Sequence, residues 1–443
     1  MSLDTDPFAD LRRSIANIRT TAPIGRVTEL SAGGFSVDGL SALAGLGDDL
    51  GYEEGGRTHR AEIVRLTPEG LTAIPMGPVD GLRLGLPVEL LGPATVAPHD
   101  SWVGRIVDPF GAPMDDRPLT HGAPRKLAAT PPSPTRRRSM GKRVHTGYAV
   151  LDTVLPLAHG QRIGLFSGSG VGKSTLLGGL ARQVEADVCV LALVGERGRE
   201  VADFVRDTLG PAGMARTVVV AATSDMAAPV RRRCALTALA VAEHFRDQGQ
   251  HVLFLCDSVT RLAEAHREIA TAAGEDVALR GHPASLTPLL ASLAERAGPG
   301  VDLQGDITAI FSVLVAGSDM EEPVADIVRG QLDGHVVLSR AIAEAGRFPA
   351  VDVLKSVSRC LPAAATGPEN EVITQVRRLL DVQARNELMV SSGLYEAGAS
   401  ADIDRAIAVA PRIEALFTET ALPSVQSAFE RLAAPLGANL QAR

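Results

Sequence analysis

The sequence is poor in four things, and each shortage removes a class of function. Long apolar runs are missing: none approaches the ~20 residues needed to cross a bilayer. The opening segment MSLDTDPFAD is acidic and has no hydrophobic centre of the kind a secretory signal carries. The expectation is a cytoplasmic protein, at most peripheral to a membrane. A cationic excess is missing too. The formal net charge of −8 disfavours non-specific binding of nucleic acid, whose phosphates demand clustered Lys and Arg. Two short basic runs, Arg136–Arg138 and Arg231–Arg233, are exceptions and read as a solvated linker and a solvated helix face. Paired cysteines are absent: Cys189, Cys234, Cys256 and Cys360 are far apart, with no CxxC and no clustered histidines to complete a zinc site. They read as small buried hydrophobes of a reducing compartment. Aromatic residues, finally, are only 3% of the chain.

What is present is an Ala- and Val-rich globular composition, 45% apolar over 443 residues. Single cores stop growing at about 250–300 residues, so two or three domains are expected. In residues 6–20, DPFADLRRSIANIRT, an Asp-Pro start precedes Phe8, Leu11, Ile15 and Ile18 on one helical stripe. Residues 1–22 therefore read as an amphipathic helix, with docking and packing on its own domain as the two uses open to it. Over residues 23–95 the text changes to short runs (GRVTEL, GFSVDGL, AEIVRLT, GLTAIPM, PVELLG) cut by Gly, Pro and Asp, which predicts a small β-barrel or sandwich. Residues 111–145, rich in Pro and basic residues, read as an extended connector within a domain at 96–370. From about 146, the runs RIGLF, DVCVLALVG, RTVVVAA, HVLFLCD and ITAIFSVLVAG are apolar throughout and separated by helical stretches such as 227–248. That pattern predicts a parallel sheet covered on both faces. Residues 371–443 show helical spacing without strand signals and read as a helical C-terminal domain.

The chemistry concentrates at LFSGSGVGKST. A strand, a glycine-rich loop and a helix start aim successive backbone N–H groups at one point, a site for polyphosphate. Gly168, Ser169, Gly170, Val171, Gly172, Lys173, Ser174 and Thr175 form that loop; Lys173 would reach the β/γ-phosphates and Ser174 would hold Mg²⁺. The pattern commonly begins with Gly or Ala where Ser167 stands. Asp257 ends an apolar run and can hold Mg²⁺ through a water. At least two predicted strands lie between loop and acid, which suggests a RecA-like arrangement with other strands inserted between the two motif strands. Glu196, after another buried strand, can polarise the attacking water, and Arg197 beside it can meet phosphate oxygens. A cation for the γ-phosphate can come from a neighbouring chain, and Arg359 is the candidate.

Together GQRIGLFSGSGVGKST, VGERGREVADF, VLFLCDSVTRLAEAHREIA, DGHVVLSRAIAEAGRFPAVDVLKSVSR and APRIEALF resemble the RecA-like hexameric ATPases related to the F-type and V-type rotary enzymes. The resemblance is greatest to the flagellum-specific and type III secretion ATPases. It implies an α/β fold, a RecA-like P-loop core with a small N-terminal β-barrel and a helical C-terminal domain, using ATP and Mg²⁺. It also implies Glu196 as catalytic carboxylate, Arg197 and Arg261 on the nucleotide phosphates, Asp257 as the Mg²⁺-side acid, Phe348 stacked on adenine, and Arg359 as a finger donated across a subunit interface. The implied assembly is a homohexamer. The implied partners are a stator-like regulatory protein at the N-terminal helix, a stalk protein, export-gate membrane proteins, and export chaperones with their cargo. In the segment RGHPAS the family commonly has Tyr where His282 stands.

The reading this favours is Mg²⁺-dependent ATP hydrolysis energising unfolding and export of flagellar proteins. Injectisome ATPase is the alternative within the class. A rotary catalytic subunit would carry an acidic lever motif where LYEAGASADIDRAI stands. An RNA translocase of the termination-factor type wants a basic N-terminal fold with stacking aromatics, whereas residues 23–95 hold only Phe35 and Tyr52 and no Lys. A nucleotide-sensing scaffold with negligible turnover is the remaining alternative, and it is disfavoured because nothing in the catalytic motif set is missing.

Overall fold

The computed structural model describes residues 21–31, 33–79, 81–278, 281–315, 320–438 and 440. The helix expected over residues 6–20 lies outside them. The chain divides into two compact units: the residues up to Ala94 with Ala272–Gly274, and Thr95–Thr271 with the residues from Glu275 onward.

The first unit is a closed antiparallel barrel of strands β1 (Ile24–Ser31), β2 (Gly34–Asp38), β3 (Asp48–Glu54), β4 (Arg57–Leu66), β5 (Leu71–Pro75) and β6 (Pro87–Pro93). Their order around the barrel is β1-β2-β5-β4-β3-β6. Alternation points Phe35, Val37, Leu50, Tyr52, Ala61, Ile63, Ala73, Val88 and Leu90 into one core. Strand β3, DDLGYEE, is acidic and went unpredicted; pairing on both sides, with β4 and β6, holds it in the barrel.

The second unit is built on a nine-stranded sheet. Its strands are β7 (Ile106–Val107), β8 (Arg162–Ser167), β9 (Val188–Glu196), β10 (Thr217–Thr223), β11 (Val252–Asp257), β12 (Gly298–Pro299), β13 (Asp306–Leu314), β14 (Gly334–Leu338) and β15 (Val357–Ser358). They run in the order β15-β14-β8-β13-β11-β9-β10-β7, with β12 beside β13. Pairing is parallel from β14 through β7. The strand that separates the phosphate-loop strand β8 from the Asp257 strand β11 is thus β13. The two strands that intervene in sequence, β9 and β10, lie beyond β11. Every side chain of β11 is buried, as an all-apolar run in a two-sided sheet requires. The covering helices include α1 (Lys173–Gln183), α2 (Gly198–Asp203), α3 (Ala228–Asp247), α4 (Val259–Ala272), α5 (Leu286–Arg296) and α6 (Pro323–Gln331). Helices α7 (Gly367–Ser391), α8 (Ala401–Leu416) and α9 (Val425–Ala433) follow. Val372, Val376, Ile413 and Phe429 of these last helices share one continuous core with Leu151, Leu177 and Val336. No described helix is long and apolar enough to cross a membrane. All four cysteines are buried and unpaired.

The basic runs are solvated only in part: Arg136 and Arg138 remain exposed, whereas Arg137, Arg231 and Arg233 are largely or wholly out of water, which corrects the sequence reading for those three. Arg136 pairs with Asp302, Arg137 Nη1 donates to the Ala297 carbonyl at 3.1 Å, and Arg138 reaches Asp306 at 2.6 Å. These contacts fasten the connector to the loops around β12. On α3, Arg231 meets Glu268 at 2.7 Å and Arg232 lies 3.2 Å from His266 Nδ1. Arg233 is buried, with its guanidinium carbon 4.7 Å from the Phe110 ring centre and donors on the carbonyls of Pro109 and Thr95.

Candidate functional site

Strand β8 ends at Ser167, and helix α1 begins at Lys173. Between them the chain turns through Gly172 at φ 87°, a conformation that a side chain would strain. A Cβ at Gly172 would also lie 3.2 Å from the Phe348 ring. No side chain caps α1, so the first backbone N–H groups of the helix are left facing the loop. Further along, a Cβ on Gly179 would fall 1.7 Å from the Tyr148 hydroxyl, so a glycine there lets α1 seat against Tyr148.

The loop and α1 open on a cavity of about 360 Å³ lined by Gly168, Ser169, Gly170, Gly172, Lys173, Ser174 and Thr175. Glu196, Arg197, Glu200, Arg261 and Leu314 complete its wall. Val171, expected in the set, turns its side chain into the hydrophobic core, so only its backbone belongs to the loop. Ser167 is buried at the end of β8 and is not among the lining residues. Asp257 lies next to this space and shares an adjoining cavity with Ser174 and Glu196. It is buried, ion-paired with Lys173 Nζ, and accepts a hydrogen bond from Ser312 Oγ at 2.7 Å. Arg261 lines the cavity, with Nη1 4.0 Å from Glu264 Oε2 and a buried Nε that has no hydrogen-bond partner among the described residues.

Burial pushes the Glu196 carboxyl up to about 7, with the Asp257 charge and the hydrogen bond that protonated Glu196 donates to Glu200 acting in the same direction and Lys173 and Arg261 against it. A carboxyl poised there exchanges a proton near neutrality. Glu200 escaped the sequence reading, although GERGRE places it four residues after Glu196. Leu314 escaped too, because nothing distinguishes it within an apolar strand.

Two expected residues stand apart. The Phe348 ring is half exposed beside Gly172 rather than in the cavity wall. Arg359 lines a different cavity with Lys142, Arg143, Cys360 and Glu369, and its N–H donates to the Asp333 carbonyl. Asp333 in turn holds Arg162, the first residue of β8. Arg359 therefore belongs to the start of β8, about 16 Å of strand from the phosphate loop. Within one chain the two do not meet.

The donor set fits Mg²⁺. Ser174 and Asp257 offer a hydroxyl and a carboxylate, hard oxygen ligands, beside a cradle for phosphate. Among the described residues no cluster of three or more His, Cys, Asp or Glu is placed to hold a metal by itself.

Residues 147–358 match the ATP synthase alpha/beta family, nucleotide-binding domain. Residues 366–431 match the T3SS EscN ATPase C-terminal domain. The chain is 43% identical over 412 residues to a flagellum-specific ATP synthase of Rhizobium meliloti strain 1021, covering 92% of this chain and 87% of the relative. A type 3 secretion system ATPase of Xanthomonas euvesicatoria is 38% identical, with 95% of each chain covered. Among solved structures, the assembled ATPase EscN of the enteropathogenic E. coli type III secretion system superposes with a TM-score of 0.85 at 33% identity, covering 93% of this chain and all of that one. A second structure holds EscN with its central stalk EscO, at a TM-score of 0.84 and 34% identity. With this extent of identity and this site, the chain is an ATPase and belongs to the family of flagellum-specific and type III secretion ATPases.

Proposed function

We propose that this chain hydrolyses ATP with Mg²⁺ to energise unfolding and export of flagellar proteins through a type III export apparatus. The observation that carries the chemistry is the convergence of the phosphate loop, Glu196 and Arg261 on one cavity, with Asp257 at its edge. The loop N–H groups and Lys173 bind the polyphosphate, and Ser174 and Asp257 would hold the metal. Mg²⁺, when bound, neutralises charge on the β- and γ-oxygens. Glu196 accepts a proton from the attacking water, and Arg197 and Arg261 meet phosphate oxygens as charge builds. Phe348, half exposed beside Gly172, offers a face for the adenine ring. Arg359 completes the site of the next subunit, so the working form is a homohexamer.

Several relatives named flagellum-specific ATP synthase are 41–44% identical, those named type 3 secretion system ATPase 38–41%, which favours the flagellar over the injectisome assignment. The stalk-bound form of EscN supports a stalk partner here. A stator-like regulator at residues 1–22, the export gate, chaperones and cargo complete the assembly, with the ATPase cytoplasmic and peripheral to the inner membrane. In the barrel, Phe35 and Tyr52 are both buried, so they offer bases no stacking face, which weighs against the RNA-translocase reading.

The test is complementation of a strain lacking its own copy. The wild-type gene should restore filament assembly and swimming, and Lys173→Ala, inactive in hydrolysis, should not. A wild-type protein that hydrolyses ATP while its loss leaves swimming intact and injectisome secretion abolished would overturn the flagellar assignment.

A further inference from the structure

Strand β13 touches the site twice near its C-terminal end. Ser312, opposite Leu165 of β8 in the sheet, is fully buried and donates its hydroxyl to Asp257 Oδ1 at 2.7 Å. Two residues on, the Leu314 N–H donates to Thr260 Oγ1 at 2.9 Å, and the Thr260 hydroxyl donates back to the Leu314 carbonyl at 3.3 Å. The strand is thereby fastened to the segment after Asp257 at two points, and Leu314 itself lines the phosphate cavity. A hydroxyl at this depth, between buried Phe311 and Val313, is costly unless it is bonded, and its partner is the acid.

Oδ1 is also the oxygen that Lys173 Nζ reaches, so both of these partners hold the same side of the carboxylate. When polyphosphate enters, Lys173 is drawn to it and the carboxylate loses its ammonium at that moment. Ser312 sits on a central strand with neighbours on both sides and does not leave. We propose that Ser312 is a positioning residue: it keeps hold of Asp257 Oδ1 while Lys173 passes from carboxylate to phosphate, and so leaves Oδ2 for the water shell of Mg²⁺. This rests on the reading of Asp257 as the metal-side acid and adds to it the group that orients that acid.

The experiment uses the full chain as wild type, Ser312→Ala, Ser312→Thr and Asp257→Asn. Binding of a fluorescent ATP analogue is titrated in EDTA and at rising Mg²⁺, and steady-state hydrolysis is read on the same samples. For Ser312→Ala, the Mg²⁺ needed for half-maximal tightening of nucleotide binding should rise about tenfold, the effect of one hydrogen bond to a charged group. Its kcat should fall by a similar factor with KM little changed, affinity in EDTA should match wild type, and Ser312→Thr should recover most of both losses. A merely structural role would lower the thermal midpoint and weaken binding equally with and without Mg²⁺, which would overturn the proposal. So would Ser312→Ala behaving as wild type while Asp257→Asn loses both readouts. If Asp257→Asn keeps both, the assignment of Asp257 falls and takes this proposal with it. Should Ser312→Ala not fold, Ser312→Cys, similar in size with a weaker donor, takes its place in the same titration.

Discussion

Glu196 is the side chain whose proton governs the site in the proposed reading. Burial, and then the Asp257 charge, push its carboxyl up to about 7. A general base must be ionised to accept a proton, so kcat/KM should climb with pH along a limb centred near 7 and level off above it. Glu196→Gln should abolish that limb and lower kcat by about 10²–10⁴, measured by phosphate release. The same shift has a consequence for stability. The folded carboxyl keeps its proton between the ordinary value of 4.5 and about 7, where the unfolded chain has already released it. Stability therefore falls as pH rises through that window, and the deficit is complete above it. Glu196→Gln has no proton to lose, so its thermal midpoint should exceed wild type by roughly one to a few degrees on the alkaline side and match it at acid pH. A difference between the two proteins that is flat across pH would contradict burial as the cause.

At the scale of elements, arginines that look alike in sequence have unlike duties. Arg136 and Asp302 form a pair in which both side chains are mostly exposed, 63% and 62%. Arg136→Ala should change stability by no more than about 1 kcal/mol. Arg233 stacks on Phe110 out of water and fills two backbone carbonyls, so Arg233→Ala should cost about 2–4 kcal/mol. Thermal unfolding without nucleotide compares them, and equal effects would deny Arg233 its buried place. Spacing could not separate the two, because Phe110 and Pro109 come to Arg233 from 123 or more positions away in the chain. Strands such as β9 were legible, since a two-sided parallel strand must be apolar throughout and VCVLALVG is. Strand β3 was not, because a barrel strand needs only alternate positions inside and DDLGYEE surrounds its few with acid. The phosphate loop was legible because its chemistry demands particular residues in consecutive positions. Ser312 was not, because its significance lies in a partner on the neighbouring strand.

For the whole molecule, the decisive fact is the distance between Arg359 and the phosphate loop of its own chain. Arg359 sits beside Asp333 and the first residue of β8, whereas the loop follows the last. A cation that stabilises the transition state has to reach the γ-phosphate, so in the proposed assembly it reaches that of a neighbour. Activity per chain should then rise steeply with protein concentration. Glu196→Gln loses the base and keeps the finger, whereas Arg359→Ala keeps the base and loses the finger, so each alone should be inactive. In an equimolar mixture, some interfaces join an intact Glu196 to an intact Arg359, and activity should return in part. Random assembly pairs the Arg359→Ala base side with the Glu196→Gln finger side at about a quarter of interfaces, which sets the scale of the recovery. Rate measurements on wild type, each variant and the mixture check this over a range of concentrations. Activity that ignores concentration and survives Arg359→Ala would mean that the site is complete within one chain, and the finger would have to be sought among Arg197, Arg261 and Arg340, whose guanidinium already lies 3.3 Å from the Ser169 carbonyl.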